Sequence, residues 1–236
     1  FVSGQKGRSL RYFRKYRNDK HFMSWWSFLH TGEVVGKQFC YHDIPERLDP
    51  FDYEAFIKSD TEFYATSTNV ETGKAEYIKI TDMMTQIDAM RASASIPIAS
   101  RPVKLGGKRL LDGGVSDPIP VKWMLSQGYE KNVVVLTRDV KYRKKANPKM
   151  QIFLKAVLHK YPAFLKDLEE RHIHYNETLE ELASLEKEGR IHIIRPSSPI
   201  QAAMIERDES NLERIYQTGR ADMKNDLEKL KAYLDS

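Results

Sequence analysis

Asp112-Gly113-Gly114 is the place in this chain where residue types and spacing together suggest chemistry. It closes the run from Ala89 to Val121, AMRASASIPIASRPVKLGGKRLLDGGVSDPIPV. Two glycines after an acid can take positive φ and leave the backbone bare, so another group can come close to the carboxylate. An acid at the carboxyl end of a strand is a usual place for chemistry in an α/β protein. A plainer account is an Asp-Gly turn in which Asp112 bonds its own backbone. On local pattern alone, the turn is the stronger account.

Several elements must position Asp112. Arg101–Leu105 and Lys108–Leu111 are strand-like runs joined by Gly106-Gly107, which predicts a hairpin ending at Asp112. A helix capped by Thr81 or Asp82 and running to about Ala92 delivers the chain into this stretch. Before it, Glu62–Thr68 and Ala75–Ile80 read as strands around a turn at Asn69–Lys74. After it, Val121–Gln127 reads as a helix closed by Gly128. Asn132–Thr137 follows as an unbroken β-branched run, typical of a parallel strand covered on both faces. Helices are predicted over Gly7–Tyr16, Asp52–Lys58, Gln151–His159 and Ala163–Lys187. Ile191–Arg195 reads as a buried strand. Asp208–Leu234 reads as a long amphipathic helix interrupted near Gly219, packing on the sheet through Leu212, Ile215, Tyr216, Leu227, Leu230 and Leu234.

Other chemistries fit poorly. His172 and His174 lie two apart in a helical stretch and so do not share a face. There is no His-Glu-x-x-His, so no metal site is expected. His192 sits in a strand and is most simply a satisfied core residue. His42-Asp43 invites a catalytic reading, but a helix-start Asp explains Asp43 equally well. A phosphoryl-accepting aspartate would want a second acid at Gly114. The glycines of Lys104–Lys108 are wrongly spaced for a phosphate-cradling loop. No cofactor is expected.

Ala92-Ser93-Ala94-Ser95-Ile96-Pro97, Pro102-Val103, Leu111-Asp112-Gly113-Gly114-Val115 and Asp117-x-x-Pro120 together resemble the C-terminal half of the signature of the bacterial patatin-like phospholipase family. The likeness is clearest over residues 60–140. It implies that Asp112 pairs directly with a serine nucleophile, without a histidine, to hydrolyse acyl esters of lipids. Gly113 and Gly114 would support the site loop. Asp117 stands where many members carry Asn and reads as loop support.

The family places its serine on a Gly-x-Ser-x-Gly elbow, preceded by a glycine-rich oxyanion loop, and neither is in this chain. Val2-Ser3-Gly4 lacks both flanking glycines, and Arg11 stands where Gly7-Arg8-Ser9 would need its second. The chain opens on Phe1 and reads as a protein that does not show its first strands. The resemblance therefore implies a three-layer α/β/α fold with a mainly parallel central sheet. Residues 1–236 would be a single domain of that kind, truncated at its N-terminus. The expected function is a serine acyl-ester hydrolase; the alternative is a catalytically dead basic module that docks on anionic membranes or partners.

Composition agrees with a globular domain of this size: 236 residues, 41% hydrophobic and 30% charged. No apolar run approaches a membrane span, and the single cysteine, Cys40, excludes an internal disulfide. A net charge of +5 would help approach to anionic lipid or nucleic acid without being diagnostic of either. A lipid or other acyl ester is the expected partner, and nucleic acid is not. The expected setting is cytoplasmic, with peripheral contact to an anionic membrane left open. The basic run Lys141–Lys145 and the Arg8, Arg11, Arg14, Lys15 and Arg17 set are expected to be exposed and solvated. The aromatic cluster His21–Leu29 is expected to pack in the core more readily than to line an acyl channel or a membrane interface.

Overall fold

The computed structural model describes residues 2–203 and 205–236. In chain order it holds α1 (Arg8–Tyr16), α2 (Trp25–Thr31), a π-helical segment (Phe39–Leu48), α3 (Tyr53–Lys58), β1 (Tyr64–Asn69) and β2 (Ala75–Lys79). There follow α4 (Ile87–Ser93), β3 (Val103–Leu105), β4 (Lys108–Asp112), α5 (Val121–Ser126) and β5 (Asn132–Val135). The chain ends with α6 (Pro148–Leu158), α7 (Pro162–Lys187), β6 (Ile191–Ile194) and α8 (Glu209–Asp235). It divides into two compact units: Phe1–Pro118 with Asn147–Glu169, and Ile119–Ala146 with Glu170–Ser236. No helix among the described residues is long and apolar enough to cross a membrane.

The first unit is built on a four-stranded sheet in the order β2-β1-β4-β3, and every neighbouring pair is antiparallel. The fold is mixed α/β as expected, but the expected mainly parallel central sheet is not what this unit contains. The reason is local. β1 and β2 are joined by the tight turn through Gly73 (φ 75°), and β3 and β4 by Gly106-Gly107 (φ 56° and 76°). Connections this short can only reverse a strand, because a parallel partner needs a crossover of a dozen residues or more. Helices cover both faces. Strand alternation sends Leu110 toward α4, with Ala92 and Val103. It sends Leu111 to the opposite side, with Leu154 and Leu158 of α6 and Phe164 of α7.

Two polar arrangements hold α4 in place. Arg91 is buried, and its guanidinium meets Asp88 at 2.8 Å and Glu33 at 3.0 Å. The helix starts at Ile87 rather than at Thr81 or Asp82, because Gln86 accepts from the backbone N–H groups of both of those residues instead. Two expectations of exposure reverse in this unit. Arg8 packs against Asp49, Tyr12 and Phe51 rather than standing in water. Trp25, Trp26 and Leu29 are exposed, and only Phe22 of that aromatic run joins a core cluster as a buried residue.

The second unit contains a parallel strand pair, β5 with β6, in register from Asn132↔Ile191 to Val135↔Ile194. β5 is not covered on both faces. Val134 and Leu136 turn toward Val121, Leu182 and Ile191, while Val133 and Val135 are exposed. With a single strand partner and one helical cover, alternation returns and half of the valine run faces out. α8 runs through Gly219 without a break, and none of its residues is buried. Polar groups anchor it: the Asp226 carboxylate lies 2.5 Å from His192 Nε2, and the Tyr233 hydroxyl accepts from Asn132 N–H at 2.8 Å. The apolar packing expected of Leu227 and Leu234 is weak, since both are exposed.

Candidate active site

Asp112 is the last residue of β4 and lies opposite Ser67 of β1 in the antiparallel register. Its backbone is fixed on both sides. The Asp112 N–H donates to the Ser95 carbonyl at 2.9 Å, just beyond the C-terminus of α4. The Asp112 carbonyl accepts from Thr68 Oγ1 at 2.8 Å. Ser95 is itself held, its hydroxyl donating to the Arg91 carbonyl at 2.7 Å. Thus the buried Arg91 cluster, α4 and the strand β1 all bear on the placement of one half-buried aspartate. Its carboxylate accepts from the Gly114 N–H through Oδ1 at 2.6 Å. This is the backbone bond of the plain turn reading, and it also fixes the direction of the carboxylate.

Gly113 is required for a different reason from the one expected. Its φ lies outside the left-handed region, but a Cβ there would sit 2.6 Å from the Thr66 carbonyl carbon and closer still to its oxygen. The bare backbone lets β1 approach the turn. Gly114 supplies the N–H that holds the Asp112 carboxylate.

Asp117 is bound into the same loop. Its N–H donates to the Gly113 carbonyl at 2.9 Å, and its Oδ2 accepts from the Tyr77 hydroxyl at 2.5 Å. Burial, and then the bond to Asp117, pushes the Tyr77 phenol up, so it stays a donor throughout the neutral range. Asp117→Asn is therefore expected to change ester turnover by less than about threefold. The amide oxygen still accepts the phenol proton, and only the charged character of the bond is lost, about 1 kcal/mol of stability. A loss of turnover as large as that of Asp112→Asn would show that Asp117 is the working carboxylate.

Ser67 carried no signal in the sequence. It is fully buried, its hydroxyl has no hydrogen-bond partner among the described residues, and the register puts it on the same face as Asp112. Opposed residues of an antiparallel pair have Cβ atoms about 4.5–5.5 Å apart. Only the strand pairing, which spans 45 positions of sequence, reveals this neighbour.

The remaining nucleophile and ligand candidates are occupied elsewhere. His42 lies within the π-helical segment, bonded through Nδ1 to Glu46 at 2.9 Å, and Asp43 lies 3.9 Å from Arg47. His174 sits between Glu170 and Glu177. No group of three metal-ligating side chains occurs among the described residues. Cys40 donates its thiol to the Phe22 carbonyl at 3.0 Å, and burial pushes it up to about 12. Ellman's reagent should therefore label Cys40 at least about 100-fold more slowly in the folded protein than in urea, because the thiolate is the reactive form. Rapid labelling of the native protein would contradict that environment.

Residues 10–124 match the sequence profile of the family described as Patatin-like phospholipase, and residues 161–235 match a domain of unknown function (DUF6363). Over 142 residues the chain is 28% identical to the uncharacterized protein YjjU of Escherichia coli (strain K12), which covers 58% of this chain. The matched segment spans 39% of that protein's length.

Proposed function

We propose that this chain, a patatin-like phospholipase family member through residues 10–124, carries the general-base aspartate of a serine acyl-ester hydrolase. The family is one of lipid hydrolases. The observation that supports the reading is the fixed placement of Asp112, bonded at its N–H, its carbonyl and its Oδ1 by Ser95, Thr68 and Gly114. A serine on a Gly-x-Ser-x-Gly elbow, a motif these 236 residues do not contain, would give its hydroxyl proton to Asp112 and attack the ester carbonyl. Backbone N–H groups of a glycine-rich loop, likewise not among these residues, would hold the oxyanion. Water then attacks the acyl-serine with Asp112 as base again, releasing the fatty acid.

An ordinary aspartate, with a pKa near 3.9, is a weak base for serine. Desolvation favours the protonated form, so the dyad requires the serine and the bound ester to shield the Asp112 carboxylate from water. The test is hydrolysis of a p-nitrophenyl ester series by the full-length protein. Turnover that depends on Asp112 supports the enzyme. Absence of turnover on every ester supports the alternative, a basic module without catalysis.

A further inference from the structure

α6 packs by one face and is apolar on the other. Its inner face, Leu154 and Leu158, joins the core cluster of Leu111 and Val115, the residues that flank Asp112-Gly113-Gly114. Its outer face carries Ile152 and Phe153, 71% and 50% exposed, together with exposed Met150, Ala156 and Val157. A soluble surface does not ordinarily gather this much apolar side chain on one helix without a partner. Lys149 and Lys160 stand at the two ends of the face. Lys149 lies in the first turn of α6, and Lys160 two residues past its last, Leu158. Lys155 is committed to Glu169 at 2.8 Å, whereas neither Lys149 nor Lys160 has an ion pair among the described residues. The whole run from Pro148 to Lys160 contains no acid.

We infer that α6 is a docking helix for an anionic lipid surface. The inference rests on the acyl-ester reading above, which takes a lipid as substrate. An apolar face with lysines at both ends suits the boundary between acyl chains and anionic head groups. A second copy of this chain fits less well. An isologous pairing of α6 with itself brings lysine ends together with no acid between them. The inner face of α6 packs on Leu111 and Val115, so docking would bring the sheet face opposite the Asp112 carboxylate toward the lipid, with the Asp112-Gly113-Gly114 turn at its edge.

The test is co-sedimentation of the full-length protein with vesicles of phosphatidylcholine alone and of phosphatidylcholine with phosphatidylglycerol. The parent should bind the mixed vesicles and lose most of that binding at high salt. Lys149→Gln with Lys160→Gln should weaken binding roughly thirtyfold, since each lysine near an anionic surface is worth about fivefold. Ile152→Ser with Phe153→Ser should weaken it at least about tenfold. All four positions are exposed, and circular dichroism checks that the variants remain folded. A dye on Ile152→Cys, carried in a Cys40→Ala background, should brighten and shift to the blue on mixed vesicles. Parental binding by both variants, or a dye that does not respond, overturns the inference. So does a parent that elutes as a dimer and is made monomeric by the serine pair, which would assign the face to self-association. Hydrolysis of a water-soluble short-chain ester judges the Asp112 reading separately, since it requires no surface.

Discussion

Asp112→Asn is expected to lower ester turnover by the full-length protein by about 10²–10⁴-fold, the usual contribution of a general base. The substitution is nearly isosteric. Its amide oxygen keeps the bond from Gly114 N–H, and the backbone bonds to Ser95 and Thr68 do not involve the side chain. The fold should therefore persist, with a melting temperature close to the parent's. What is lost is the capacity to take a proton. Because that capacity acts in the transition state, kcat should fall while KM stays nearly constant. An Asn variant that turns over near the parental rate would remove Asp112 from the mechanism. One that fails to melt cooperatively would mean that the carboxylate is structural, as the plain turn reading has it.

Gly113→Ala is expected to destabilise the first unit by about 3 kcal/mol or more, the upper range for overpacking. The clash is with the Thr66 backbone carbonyl, which belongs to a paired strand and cannot rotate aside. Relief requires β1 to move off the turn, which breaks the Thr68 bond to the Asp112 carbonyl as well. A fall of roughly 6–12 °C in melting temperature is the corresponding shift for a chain of this size. Gly106→Ala is the control. That hairpin glycine has φ 56° and open space around its Cβ, so only the left-handed backbone is penalised, by about 1–2 kcal/mol. If Gly113→Ala melts within two degrees of the parent, taken as roughly the smallest meaningful shift, the close approach of β1 is wrong.

Local signals were the legible part of this fold. Gly106-Gly107 announced its hairpin, Asp52 its helix start and Gly128 its helix end, because each acts through bonds a few residues long. Asp112-Gly113-Gly114 was legible for the same reason. The strand order was not, because pairing β1 with β4 joins residues more than forty positions apart, and nothing in either strand names its partner. The valines of β5 were misjudged because burial was read from hydrophobicity, and exposed apolar residues are common on real surfaces. Asp43 does not start a helix as expected: Phe39–Leu48 forms a π-helical segment with Pro45 inside it, closed by Asp49 N–H to the Ile44 carbonyl, which has no simple periodicity to read. Ser67 was invisible for the same reason as the strand order.

The all-antiparallel sheet of the first unit also has a kinetic meaning. β1–β2 and β3–β4 are both hairpins whose ends are close in sequence, and such hairpins form in about 1–10 μs. The β1–β4 pairing is different, since it must close a loop that includes α4 and bears the larger entropy cost. That single non-local step also brings Thr68 and Ser67 to Asp112. In this chain the aspartate acquires its surroundings only when the two hairpins dock, so the order of assembly places the local turn early and the candidate site late.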